Sequence, residues 1–244
     1  METCASSDAP MTKGDKLSKN KNSKNGGKMS DMESKPYARL IGSLMFQYNP
    51  SHEHWVAGKK VLRYLQKTKS HMLVYRQVKK LELVGYNDSD FAGHYPDSKK
   101  STSSYVFMLV GGAVAWKTMK QSLISTSTMQ AEFIAIYEGV CEGLWIKNFL
   151  MHTKILSSIV SDALKIFCDN EAVVFFGKNS KRSNNSKHID LKFYSVRERV
   201  KHCEINVLNI NTESQLADPF TKALSVTSFQ KHTKNMGILP DLEA

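Results

Sequence analysis

Apolar residues change their spacing several times along the chain, and each change marks an element. Between His52 and Lys69, the residues Trp55, Val56, Val61, Leu62 and Leu65 fall at helical spacing among Lys59, Lys60, Arg63 and Lys67. That pattern predicts an amphipathic helix with a basic outer face, packed on a domain with solvated lysines or lying along a nucleic acid. The period then shortens. Leu81–Tyr86 and Ser104–Val110 read as strands, and Gly111-Gly112 before Ala113–Trp116 signals a hairpin. Ser125, Thr126 and Ser127 offer N-caps to a long helix reaching about His152, in which Met129, Phe133, Ile136 or Tyr137, Val140 and Leu144 recur at three and four. A buried strand Leu164–Cys168 follows, then a helical run Glu171–Lys178 and a polar, basic loop Asn179–Ser186. An amphipathic helix Lys187–Lys201, a strand Glu204–Ile210 and a helical region from Ser214 complete the order. Hairpin-joined strands followed by βα units predict an α/β fold with helices packed on a mixed sheet.

Composition adds limits. Residues 1–35 are Lys, Ser, Asn, Asp and Gly with few large apolar side chains, a composition that predicts a flexible tail. The chain has 244 residues, 41% of them hydrophobic, enough for one ordinary domain with flanking material. Its formal charge is +11, of which the tail carries only seven Lys against five acids, so the folded part is itself basic. A basic fold favours a polyanionic partner through phosphate neutralisation, although charge alone also suits any soluble basic protein. The cysteines Cys4, Cys141, Cys168 and Cys203 form no CxxC pair and no zinc-ribbon spacing. They read as reduced thiols of an intracellular protein, cytoplasmic or nuclear. The N-terminus lacks the apolar stretch of a secretion signal. The most apolar run, Tyr105–Trp116, is broken by Gly111-Gly112 and falls short of the roughly 20 residues a membrane span needs.

Four acids stand at element junctions: Asp88 at the close of the first strand, Glu132 early in the long helix, Asp169 after the buried strand and Asp218 opening the last helical region. Asp169 and Asp218 each also suit a helix start, Asp169 as an N-cap and Asp218 before Pro219. Taken together, Asp88 and Asp169 can converge on one rim of a sheet while the long helix lays Glu132 over it. Clustered carboxylates repel, and divalent cations relieve the repulsion. Oxygen ligands without His or Cys at metal spacing point to Mg²⁺ or Mn²⁺. Two such ions would activate a water and stabilise the leaving oxygen of a phosphodiester displacement. Asp90 shares a strand face with Asp88, and spacing does not choose between them.

Seven strings in order, GYNDSDFAG (85–93), STSSYVF (101–107), GGAVAWKT (111–118), STSTMQAEF (125–133), IFCDN (166–170), SKHIDLKFYSVRERV (186–200) and QLADPFTKAL (215–224), closely resemble the ribonuclease H region of copia-type retrotransposon Pol polyproteins. The resemblance runs from about Tyr37 to Leu239. It implies a ribonuclease H-like mixed five-stranded sheet flanked by helices over 79–240, preceded at 36–78 by a helical remnant of the polymerase-to-ribonuclease H connection. It also implies an acidic quartet of Asp88, Glu132, Asp169 and Asp218 holding two Mg²⁺ or Mn²⁺ ions, with Asp88 favoured over Asp90. Asp88 would bridge the ions, Glu132 and Asp169 would complete the leaving-group side, and Asp218 the nucleophile side. The implied activity is endonucleolytic hydrolysis of the RNA strand of RNA–DNA hybrids, with a reverse transcriptase from a full-length element as a possible partner; the oligomeric state stays open.

His188, with Lys181, Arg182 and Lys187 around the basic loop, is a candidate contact to the hybrid backbone, or else a packed helical histidine. Lys117 and Lys120 after the hairpin are further phosphate-contact candidates, or merely solvated lysines. The chain also departs from the family. Gly42–Phe46 runs almost directly into Tyr48-Asn-Pro-Ser, so a connecting stretch is missing, and the polymerase's Asp-Asp motif is absent; DNA synthesis is not expected. Ser104 replaces the usual Gly, and Met129-Gln130 a Thr-Glu pair. The alternative these departures raise is a catalytically inactive, nucleic-acid-binding relic of the element.

Overall fold

The computed structural model describes residues 5–12, 52–91, 100–153, 163–178 and 187–241. Most of the expected N-terminal tail, the 42–51 junction, and the basic loop with Lys181 and Arg182 lie outside the described residues, as do the side chains of Lys187 and His188. In chain order the elements are α1 (His52–Lys67), β1 (His71–Leu73), β2 (Leu83–Asp90), β3 (Thr102–Leu109), β4 (Gly112–Lys120), α2 (Thr128–His152), β5 (Leu164–Cys168), α3 (Glu171–Lys178), α4 (Lys187–Lys201), β6 (Ile205–Asn209), α5 (Val226–Asn235) and β7 (Ile238–Pro240). Two short 3₁₀ turns, Thr212–Ser214 and Asp218–Phe220, separate β6 from α5.

The main sheet has the order β4-β3-β2-β5-β6. β3 runs antiparallel to both β2 and β4, while β5 lies parallel to both β2 and β6. This is the mixed five-stranded sheet with flanking helices that the strings imply. Alternation along β3 divides the core. Tyr105 and Phe107 face α2 and α4, where they pack with Phe133, Ile136, Val140, Leu164, Ile166, Phe193 and Val196. Val106 and Met108 face the opposite way, onto Ala113, Leu216, Ala217 and Met236.

The hairpin between β3 and β4 turns through Val110 and Gly111, both left-handed at φ 54° and 80°. Two consecutive positive φ values match the right-handed strand twist, and Gly111 adopts one without strain. A register shift lies beside the turn, between Phe107 opposite Ala115 and Met108 opposite Ala113. Ser127 caps α2 by accepting from the Gln130 backbone N at 3.2 Å, while the Gln130 side chain accepts from the Thr126 backbone N and hydroxyl.

Three details depart from the sequence pattern. β2 continues to Asp90, so Asp88 stands inside the strand rather than at its close. The helical region expected from Ser214 resolves into the two turns, α5 and β7. β1 and β7 pair antiparallel, Leu73 opposite Ile238, in strands of three residues too short to leave a periodic signal. At the N-terminal end Ala9 is buried and Asp8 pairs with Lys67 of α1.

Candidate functional site

β2 alternates faces, with Gly85 and Asn87 under α2 and Tyr86 and Asp88 on the opposite side. Asp88 is therefore turned toward the segment after β6, where the turn Asp218–Phe220 meets it. Both carboxylates are withdrawn from water, Asp88 at 0% exposure and Asp218 at 4%. Lys222, one turn beyond Asp218, places its ammonium 3.0 Å from Asp88 Oδ1 and 3.1 Å from Asp218 Oδ1. The Thr221 hydroxyl donates to the other oxygen of Asp88. Glu132 comes from the first turns of α2, its Oε1 accepting from the Ser89 backbone N at 3.3 Å. Asp169 directly follows the last residue of β5, and its Oδ2 accepts from the Thr212 hydroxyl at 3.0 Å.

All four predicted acids thus meet at one end of the sheet. One ligand atom each from Asp88, Asp169 and Asp218 lie within 4.8 Å of one another, and the same holds for Glu132, Cys168 and Asp169. Asp169 belongs to both groups. Among the described residues neither group includes Asp90, which lies nearer the rim, opposite Thr102 and in line with Lys120 of β4.

Burial sets the electrostatics. It pushes the Asp88 carboxyl up to about 7, helped by the negative charge of Asp218 and opposed by Lys222 and Thr221. Burial also raises Glu132 well above the usual carboxylate range, with Asp88 adding to the effect, and raises Asp218 despite Lys222. Lys222 moves up because the attraction of Asp88 and Asp218 outweighs its own desolvation. Several acids held this close, with one described ammonium among them, favour a bound cation. The donor set of carboxylate oxygens fits a hard divalent ion.

The other candidates are less concentrated. Lys120 donates to the Lys100 carbonyl at 3.4 Å at the same rim, and burial lowers its pKa. Lys117 is exposed on the α2 side of the sheet, opposite Tyr105 and near Glu138, away from the face of Asp88. Thr221 and Lys222 carry no role in the sequence reading, although they stand at the third and fourth positions after Asp218. That spacing returns a side chain to the same face of a turn.

No protein-family model matches the chain. It is 32% identical over 219 residues to the "Retrovirus-related Pol polyprotein from transposon TNT 1-94" of Nicotiana tabacum, an alignment covering 82% of this chain and 16% of the polyprotein. It is 34% identical over 142 residues to the "Secreted RxLR effector protein 161" of Plasmopara viticola, covering 50% of this chain and 99% of that one. Among solved structures it is similar to LC11-RNase H1 in complex with RNA/DNA hybrid, with a TM-score of 0.41 and 14% identity over 61% of this chain and 99% of that chain. Among the described residues no helix is long and apolar enough to cross a membrane.

Proposed function

The chain is a homologue of one segment of the retrovirus-related Pol polyproteins of plant transposons, and on that premise we propose that it is a metal-dependent endoribonuclease acting on the RNA strand of RNA–DNA hybrids. The observation that carries this reading is the meeting of Asp88, Glu132, Asp169 and Asp218, drawn from a strand, a helix, a strand end and a turn, in two ligand groups that share Asp169. One structural role, such as capping, would not require four separate elements to bring acids to one point.

Two Mg²⁺ or Mn²⁺ ions, when bound, supply a water of lowered pKa and charge stabilisation at the leaving oxygen. The remaining work belongs to the chain. By the family resemblance, Asp88 and Asp218 would hold the ion on the nucleophile side and Glu132 and Asp169 the one on the leaving-group side, with Asp88 serving both, while Asp169 stands within reach of both groups. The Ser89 backbone N fixes Glu132, Thr212 fixes Asp169 and Thr221 fixes Asp88, so three of the four acids have neutral donors that set their direction. The net positive charge of the chain assists a polyanionic substrate. Lys120, Lys117 and the basic segment with Lys181, Arg182, Lys187 and His188 are the proposed backbone contacts, and a reverse transcriptase from a complete element is the proposed working partner.

The test is cleavage of a labelled RNA–DNA hybrid in Mg²⁺ or Mn²⁺, beside EDTA and Asp88→Asn controls. RNA-strand cutting lost in both controls is expected, with a drop of at least about 100-fold for Asp88→Asn if the residue acts through transition-state charge. Equal cutting by Asp88→Asn would overturn the site assignment. Hybrid binding without cutting would leave the inactive relic. Binding should also fall as salt rises, with a log–log slope of about −0.9 per phosphate neutralised.

A further inference from the structure

The two halves of the acidic site differ in one respect that the proposed chemistry does not use. On the Asp88–Asp218 side, an ammonium already sits between the ligand oxygens, 3.0 Å from one and 3.1 Å from the other. On the Glu132–Asp169 side the hydrogen bonds come from neutral groups, the Ser89 backbone N and the Thr212 hydroxyl.

An octahedral Mg²⁺ requires oxygens at about 2.0–2.1 Å. An ion shared by Asp88 and Asp218 would take the space Lys222 Nζ fills, and like charges at that separation repel strongly. The two cations are alternatives. The Lys222 backbone N donates to the Asp218 carbonyl at 2.9 Å, so the root of the side chain is fixed on the same turn as the ligand. Its four-carbon stem is flexible, and the side chain is 32% exposed, which leaves a way out toward solvent.

We propose that Lys222 is a tethered cation that holds Asp88 and Asp218 together in the metal-free chain and is displaced when a divalent ion binds between them. Lys222 is then a positioning residue that sets metal affinity chiefly on the Asp88–Asp218 side, where its ammonium bonds the ligand oxygens directly. The inference rests on the metal reading of the quartet. Its consequence is ordered loading, with the side free of the ammonium filling at lower metal concentration.

The experiment is a Mn²⁺ titration of the full chain at about pH 8.5, where protons compete least with metal, read from the electron paramagnetic resonance signal of free Mn²⁺. Wild type should show a tighter and a weaker site. Lys222→Met should tighten the weaker site by about tenfold or more, since the ion no longer displaces two charge-assisted hydrogen bonds. Lys222→Arg, which keeps the charge, should stay near wild type. Identical isotherms for wild type and Lys222→Met would overturn the inference alone, whereas no Mn²⁺ uptake by either would overturn the metal reading along with it.

A second measurement needs no variant. The Lys222 ammonium, observed by ¹⁵N NMR, should be protected from hydrogen exchange without metal and lose that protection at saturating Mg²⁺. Unchanged protection with both sites filled would overturn the proposal.

Discussion

Asp88 carries the clearest consequence of a single residue's surroundings. Its carboxyl is held up to about 7 by burial and by Asp218, against an unfolded value of about 3.9. Between these values folded, metal-free Asp88 binds more protons than it does in the unfolded chain, so its contribution to stability is full below about pH 4 and is lost as the pH rises through about 7. Glu132 and Asp218 are raised as well and deepen the decline. In thermal melts in EDTA the advantage of wild type over Asp88→Asn should therefore shrink across that window, and Mg²⁺ should restore wild-type stability at neutral pH. A difference between wild type and Asp88→Asn that does not vary with pH would refute the assignment. The cysteines differ by the same criterion of access. Cys141 and Cys203 are exposed and should react with a thiol reagent in the native chain, while buried Cys168 should react only on unfolding. Sequence spacing gathered the four acids but left Asp88 and Asp90 equivalent, because both lie on one strand face; what separates them is depth relative to the turn that carries Asp218. Only the spacing of Thr221 and Lys222 after Asp218 was legible; their bonds to Asp88, 133 and 134 positions away, were not.

At the scale of the element, α2 decides whether Glu132 reaches the other acids. Its cap was legible in Ser125–Ser127, and its apolar repeat placed Phe133, Ile136 and Val140 in the core. Its closeness to the sheet was not legible, because it depends on two glycines that read as breaks in a helical pattern. A Cβ at Gly139 would stand 1.9 Å from Asn87 Nδ2, and one at Gly143 would stand 2.6 Å from both Leu164 and Phe107 side-chain atoms. Asn87 has little room to yield, since its side-chain amide donates to the Ala135 carbonyl at 2.8 Å and its backbone carbonyl accepts from the Gln215 side-chain amide at 2.9 Å. Gly139→Ala should destabilise by roughly 1–4 kcal/mol, overpacking and a strained buried hydrogen bond outweighing a helix-propensity gain of about 1 kcal/mol. Urea unfolding measures that loss, and Mn²⁺ affinity should weaken with it as α2 lifts Glu132 from Ser89. Unchanged stability and affinity would mean that α2 has slack the close contacts do not suggest.

The order of elements along the whole chain was enough to predict a mixed sheet, because hairpin strands and βα units impose opposite strand directions. It did not reveal how the two ends of the described fold close on each other. β7 pairs with β1, the Val74 backbone N donates to the Gly237 carbonyl at 2.8 Å, and the Ala113 N donates to the Met236 carbonyl at 3.0 Å. Tyr64 of α1 meets Phe229 of α5 edge to face at 5.6 Å, so the helix before β1 joins the same closure. Gly237 turns at φ +82° with the Gly111 and Val74 carbonyls 2.8 and 2.9 Å from where a Cβ would stand. Met236 is buried against the cluster containing Leu216 and Ala217, next to Asp218, so the closure also backs one wall of the site. Truncation after Asn235 should therefore cost at least about 2 kcal/mol, the burial of one Met side chain alone being worth roughly 1.5–3 kcal/mol. Hydrogen exchange locates the damage: the Val74 and Ala113 amides should lose protection, while amides of β5, flanked by β2 and β6, keep theirs up to global unfolding. If Val74 and Ala113 stay protected in the truncated chain, β1 and the hairpin are held by contacts other than the last strand, and the closure contributes little to the wall behind Asp218.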